Sequence, residues 1–264
     1  MEAEIDSSPI DSYPGAQSVS RAVSLLKAFD DAHPEWGLGD LCAQLGLNKT
    51  TTHRLLAALE AEGLIVRAAA AGRYRLGPEL ITLGGCAMRS NDLRNAARPE
   101  LETLARSTGE STVLEILLGR HTLILDEATG ADPLSVSQDI GAKLPAHATS
   151  TGKLLLAHRP QPEIDRVLDA PLLPLTANTI TDGTTLVAQL ESIRRLGYAH
   201  ADGEFDVGFV SVAAPIYDPH RRVVAALGIG GPALRLTEAR LPDIVAALQV
   251  AARRVSRRLG YRAA

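Results

Sequence analysis

The sequence predicts an α+β chain in two parts: a small N-terminal winged helix-turn-helix, then a larger domain carrying a mostly antiparallel sheet. Three observations lead there. A length of 264 residues with 45% hydrophobic content suits a small domain joined to a medium one. Between Gly15 and Pro78, three helical patterns precede two short strand patterns around a glycine-containing turn. Beyond Pro78, further strand patterns, two of them joined by a tight turn, lie among longer helical ones.

Taken in order, Met1 to Pro14 is acidic and rich in Ser and Pro. It has too few apolar residues to offset the entropy of ordering it and is expected to be a disordered tail. Ser18 and Ser20 then accompany Val19, Ala22, Val23, Leu26 and Phe29, whose spacing of three and four marks one face of a helix. A second short helix fits Asp40 to Leu45. Gly46 ends it, and Asn48 is suited to accept the orphan amide hydrogens of the next helix. That third helix, Lys49 to Glu62, gathers Thr52, Leu55, Leu56 and Leu59 on a side that should be buried. Thr50, Arg54, Ala57 and Ala61 lie opposite, with His53 adjacent. Gly63 stops the helix, and Leu64 to Arg67 with Arg73 to Leu76 form a hairpin around Ala68 to Gly72, the wing.

Glu79 to Met88 is helical, though weakened by Gly84 and Gly85, and a longer helix covers Asp92 to Ser107. Pro99, which has no amide proton, is expected to kink that helix or begin a new one. Val113 to Leu118 and Thr122 to Glu127 read as strands joined by a turn at Gly119 and Arg120, with further strands at Ser211 to Tyr217 and Val223 to Ile229. Helices fit Thr151 to His158, Thr184 to Leu196 and Glu238 to Leu259. In the last, Leu241, Ile244, Val245, Leu248, Ala252, Val255 and Leu259 share one stripe.

A formal charge of −4 gives no overall basic signal, so contact with nucleic acid has to come from a local patch. Such a patch is visible: Lys49, Arg54, Arg67, Arg73 and Arg75 have no acid among them within Lys49 to Arg54 or Arg67 to Arg75. The two cysteines, Cys42 and Cys86, lack metal-ligand spacing and read as small core residues, with no metal or cofactor called for. No leader and no long apolar run is present, so the expectation is a cytoplasmic protein. A recognition helix needs short polar or cationic side chains on its exposed face, because bulky apolar ones hold its axis away from base edges. Thr50, Thr51, His53 and Arg54 meet that need, Ala57 and Ala61 keep the groove side small, and the cationic wing offers phosphate contacts.

At this point the chain resembles the IclR-type bacterial transcription regulators. The stretches that carry the resemblance are QSVSRAVSLLKAF from Gln17 to Phe29, LGLNKTTTHRLLAALE from Leu45 to Glu60 and RYRLGP from Arg73 to Pro78. Later ones are LPAHATSTGK from Leu144 to Lys153, GYA from Gly197, AAP from Ala213 and LGY from Leu259. The resemblance implies a winged helix-turn-helix at 15–78, a linker helix at 79–95 and a GAF-like effector-binding and oligomerisation domain at 96–264. It also implies a homodimer or dimer of dimers that controls a catabolic or metabolic operon, most often by repression. The contacts expected with a palindromic double-stranded operator are Gln17, Ser18, Arg21, Asn48, Lys49, Thr50, Thr51, His53, Arg54, Arg67, Arg73, Tyr74 and Arg75.

In the larger domain, Gly152-Lys153 opens a predicted helix, yet a phosphate-binding loop would need Gly where His147 stands and Ser or Thr where Leu154 stands. What remains is a helix N-terminus whose amides suit an anion, with small side chains at Ser150 and Thr151. The resemblance puts a small organic effector there, and because a helix N-terminus favours negative charge its carboxylate or other hydrogen-bonding head is expected on the amides of Ser150 and Thr151, with its body toward Phe209. It also makes Asp202 a pocket residue. Where many members carry Cys before the AAP motif this chain has Ser211, and Gly228 and Gly230 replace serines found in some members. That wall is therefore expected to be less polar. The alternatives are a regulator whose C-terminal domain only oligomerises and, remotely, a serine hydrolase using Ser150 or Ser211, against which no nucleophile-elbow motif surrounds either serine. His200, Asp202 and Glu204 alternate in a way that suggests a metal site, but Gly203 interrupts the strand and no ligand set is complete.

Overall fold

A computed structural model describes residues 16–69, 72–130 and 139–262. The expected tail at 1–14 lies outside them. The chain divides into two compact units, Met1–Ser90 and Asn91–Ala264.

The first unit holds α1 (Ala16–Leu26), β1 (Glu35–Gly37), α2 (Leu38–Leu45), α3 (Lys49–Ala61), β2 (Ile65–Arg67), β3 (Arg73–Leu76) and α4 (Glu79–Arg89). Gly46 ends α2 in the left-handed region at φ 63°, as a C-terminal glycine is suited to do. The three helices and the sheet close over Leu25, Phe29, Leu41, Leu56, Leu59, Ile65 and Tyr74. β2 and β3 pair antiparallel as expected of the wing, and β1, which the sequence did not suggest, adds a third strand on the far side of β3. Trp36 on β1 anchors that strand by donating its indole N–H to the Ala28 carbonyl at 2.9 Å. In α1 the expected face is corrected in part: Phe29 is in the core and Ala22 and Leu26 pack against it, but the face centres nearer Leu25. Leu25 is fully buried while Val19 and Val23 are exposed, because at 3.6 residues per turn they point about 120° and 160° away from Leu25. No residue of α4 is buried.

The second unit is built on a six-stranded antiparallel sheet in the order β6-β5-β4-β9-β8-β7. Its elements are α5 (Asp92–Thr108), β4 (Ser111–Leu118), β5 (His121–Ala128), β6 (Lys143–Pro145), α6 (Ser150–Ala157), α7 (Gln161–Leu168), α8 (Gly183–Leu196), β7 (Ala199–Asp202), β8 (Phe209–Tyr217), β9 (Val223–Pro232) and α9 (Leu241–Arg258). α5 and α9 pack on one face over Leu114, Val212, Ala214, Leu227 and Ile229, and α6, α7 and α8 cover the other. Pro99 does not begin a helix: α5 runs through it, with Pro99 exposed. A proline inside a helix removes one backbone donor, and here the turns on both sides continue past the gap. β6, three residues long, is too short to have shown a period, whereas α7, not among the expected helices, carries Ile164, Val167 and Leu168 at helical spacing.

Because side chains alternate across a strand, β4, β8 and β9 each split their residues between the two faces. Thr112, Leu114, Val210, Val212, Leu227 and Ile229 face α5 and α9, while Ser111, Val113, Glu115, Phe209, Ser211, Gly228 and Gly230 face the start of α6.

Candidate nucleic-acid interface and ligand cavity

The N-terminal interface grows from the cap of α3. Asn48 is extended, at φ −71° and ψ 155°, and its Oδ1 accepts the Thr51 amide at 2.8 Å. From that start the helical period buries Thr52, Leu56 and Leu59 and leaves Lys49, Thr50, His53, Arg54, Ala57 and Ala61 exposed. The outward side thus carries cations, a hydroxyl and an imidazole beside methyl groups, so nothing bulky and apolar keeps the helix from a groove. Gln17 and Ser18 are exposed at the start of α1, and Arg21 is half-buried. Thr51 is half-buried and its amide serves the cap, so Thr51 and the side chain of Asn48 are tied to the helix start.

Arg67, Arg73 and Arg75 are exposed on the hairpin, but two of them have acidic partners that the local sequence conceals. The Arg67 Nε lies 3.0 Å from Glu60, and the Arg73 Nε lies 3.6 Å from Glu35, whose carbonyl also accepts from Arg73 at 2.8 Å. Solvent-exposed pairs of this kind are weakly held and give way to a stronger anion. Tyr74 is not an available contact, contrary to expectation. It is 5% exposed and belongs to the core, with the Arg67 guanidinium 5.5 Å from its ring centre. The alternation of β3 turns Arg73 and Arg75 out and Tyr74 in.

In the second unit a cavity lies between the start of α6 and the inner face of β4, β9 and β8, lined among others by Ser150, Thr151, Phe209, Ser211, Gly228 and Gly230. Thr149 caps α6, its Oγ1 accepting the Gly152 amide at 3.1 Å. A Cβ on Gly152 would stand 2.3 Å from the Ala146 carbonyl oxygen, so only glycine lets the loop before α6 fold back against it. Gly230 has a similar reason: a Cβ there would come 2.4 Å from Phe209 Cζ. The Phe209 ring therefore lies in the space left by the missing side chain. In that position it leaves a cavity of about 30 Å³, room for a few waters and far less than most small-molecule sites offer.

Asp202 is not a cavity residue. It pairs with Val210, which faces the α5 and α9 side, so Asp202 shares that face at the edge of the sheet and is exposed. Its neighbour Ala201, opposite Ser211, takes the inward position. His200, Asp202 and Glu204 do not converge either: Glu204 turns inward and pairs with the fully buried Lys153 at 2.5 Å. Among the described residues no group of His, Cys, Asp and Glu is arranged to hold a metal ion. No described helix is long and apolar enough to cross a membrane.

Gly228 and Gly230 leave β9 without hydroxyls, and the polar groups on this face come from the neighbouring strands. Ser111 and Ser211 both pair with Gly230, and Glu115 lies deeper on the same face at 2% exposure. Glu115 Oε2 accepts a hydrogen bond from Thr151 Oγ1 at 2.8 Å. The sequence did carry a signal for it, a lone carboxylate inside the apolar run from Val113 to Leu118. Burial pushes the Glu115 carboxyl above its ordinary range, against the opposing pull of hydrogen bonds from Thr122 and Thr151. A carboxyl raised on folding stabilises the fold below its unfolded-state value and loses that contribution as pH climbs through the raised one. Glu115→Gln, which cannot ionise, should therefore gain in melting temperature relative to the wild type as pH rises from acid to mildly alkaline. A difference that does not change with pH would show that Glu115 is not raised.

The family model for the IclR helix-turn-helix domain matches residues 18–69, and the one for the bacterial transcriptional regulator IclR C-terminal region matches residues 86–257. The chain is 35% identical to a glycerol operon regulatory protein of Streptomyces griseus, over 92% of this chain and 96% of that one. It is similar to the solved structure of an IclR transcriptional regulator from Alicyclobacillus acidocaldarius, at 30% identity and a TM-score of 0.82, covering 92% of this chain and 99% of that chain. An IclR homolog from Microbacterium hydrocarbonoxydans, solved in complex with 4-hydroxybenzoate, matches at 29% identity and a TM-score of 0.76 over 92% of this chain and 99% of that chain.

Proposed function

The chain belongs to the IclR family of bacterial transcriptional regulators, and from that premise we propose that it represses a catabolic or metabolic operon and responds to a small organic molecule held in the cavity beside α6. It acts by binding and not by turnover. In this reading the first unit holds a palindromic operator as a homodimer or dimer of dimers, with Thr50, His53 and Arg54 of α3 at base edges. Gln17, Ser18, Arg21, Lys49, Arg67, Arg73 and Arg75 meet phosphates, for which Arg67 and Arg73 leave their weak acidic partners. Exposed Val19 and Val23 on α1 and Ile81 and Leu83 on α4 support the oligomer, since they give two copies apolar surface to bury.

The observation that carries the effector half is the cavity. It joins the free end of a helix to buried hydroxyls and an apolar wall, the usual make-up of a small-molecule site. The ligand's hydrogen-bonding head meets the amides of Ser150 and Thr151, and its body displaces the Phe209 ring. A switch follows only if the ligand binds the arrangement that cannot hold DNA more tightly than the one that can. The small volume left by Phe209 favours a second reading, in which this domain only oligomerises.

Thr151→Trp separates the two. A thermal-shift screen of small organic molecules on the full-length wild type should give hits that release operator DNA. The Trp variant should bind operator normally and ignore those hits. Hits that bind the variant as tightly as the wild type would overturn the pocket assignment, and a screen without hits would favour the oligomerising reading.

A further inference from the structure

Among the described residues that line the cavity one side chain is ionisable, and it is an acid. Glu115 lines it, and among the described residues no Lys, Arg or His does. Above Glu115, Ser111 and Ser211 flank Gly230 from the two adjacent strands, so two hydroxyls are presented on the same face. Ser111 is 4% exposed, and its Oγ has no hydrogen-bond partner among the described residues. Buried hydroxyls are nearly always satisfied, and one left open toward a cavity marks a place for an occupant's polar group. At the start of α6, Thr151 has committed its proton to Glu115, which leaves the carboxyl held in place and facing the space.

We propose that Glu115 sets the charge of the molecule the cavity takes: an uncharged, hydroxyl-bearing compound is accepted, with its hydroxyls held by Glu115, Ser111 and Ser211, and the matching carboxylate is rejected. This rests on the reading of the cavity as an effector site. A hydroxyl both donates and accepts, so it satisfies an acid and a serine together. A carboxylate only accepts. At a pH where Glu115 is ionised it would bring a second negative charge into a buried space whose described lining holds no cation, with only the amide end of α6 to offset it. Val113 and Phe209 give the carbon skeleton of either compound the same apolar surface, so the discrimination is carried by the polar end alone.

The test uses alcohol and acid pairs of one skeleton, 4-hydroxybenzyl alcohol against 4-hydroxybenzoate and glycerol against glycerate. They are titrated calorimetrically into the full-length protein at mildly alkaline pH, with operator binding measured alongside. In at least one pair the alcohol should bind the wild type about tenfold or more tightly than its acid. Glu115→Gln should remove most of that preference by restoring acid binding. An acid that binds the wild type as well as its alcohol, a preference that survives in Glu115→Gln, or no alcohol binding at all would each overturn the proposal. If both members of a pair bind Thr151→Trp as tightly as the wild type, they sit elsewhere. It is then the effector reading of the cavity that fails, and the proposal with it.

Discussion

Lys153→Ala is expected to destabilise the second unit by about 3–5 kcal/mol, because it leaves the carboxylate of Glu204 buried without its partner. The Lys153 side chain is fully buried and that of Glu204 nearly so. Burial pulls the lysine ammonium below its ordinary range, and the charge and hydrogen bond of Glu204 oppose this. Lys153 also donates to the His200 carbonyl at 3.3 Å, and the carbonyl of Glu204 accepts from Thr179 Oγ1 at 2.6 Å. The pair thus ties α6 to the segment leading into Phe205 and Phe209, both of which line the cavity. A pair of this kind contributes little over an apolar pair of similar volume, so the double substitution Lys153→Met with Glu204→Met should recover most of the loss. Chemical denaturation of the full chain gives both numbers. A single-variant loss under about 1 kcal/mol, no more than an exposed ion pair contributes, would show that water or another cation reaches Glu204.

The second large effect belongs to DNA. Arg54→Ala should weaken operator binding by about 1–3 kcal/mol, roughly 5- to 150-fold, and relax the preference at the base pair it meets. Unfolding should be unchanged, since Arg54 is exposed on α3 and no partner for it is found among the described residues. Arg73→Ala should weaken binding less and do so equally across sequences if, as proposed, Arg73 leaves Glu35 to meet only phosphate. Titration of one operator and one scrambled duplex at a fixed salt concentration checks both expectations. Wild-type affinity in Arg54→Ala would remove α3 from the groove.

Much of this was legible where one local rule acted alone. Asn48, Gly46 and Gly63 each mark a helix end through their own backbone preference, and α2, α3 and the wing fell where those residues put them. The misreadings came where two parts of the chain distant in sequence decide. The face of α1 is set by where Leu25 meets α2 and α3, not by the longest apolar row. β1 has a partner only because β3 passes beside it. Tyr74 and Asp202 lie in strands whose inward side is fixed by their neighbours: Tyr74 by the core below β3, Asp202 by its pairing with Val210. The acids that engage Arg67 and Arg73 lie seven and 38 residues away in the chain. The cavity was half legible. Ser150, Thr151, Phe209, Ser211, Gly228 and Gly230 were named from their motifs, whereas Ser111 and Glu115 belong to a strand with no motif and join the site only through their register with β9.

The alternation along β4, β8 and β9 has a consequence for how such a regulator changes over generations. Residues one apart on these strands meet different physical demands: Leu114, Val212 and Leu227 pack the core under α5 and α9, while Val113, Ser211 and Gly228 shape what fits beside α6. A mutation at an inward-facing position can retune the signal a descendant responds to while its neighbour keeps the protein folded. A duplicated copy of this gene could therefore acquire a new inducer in single substitutions, each passing through a folded, DNA-binding ancestor.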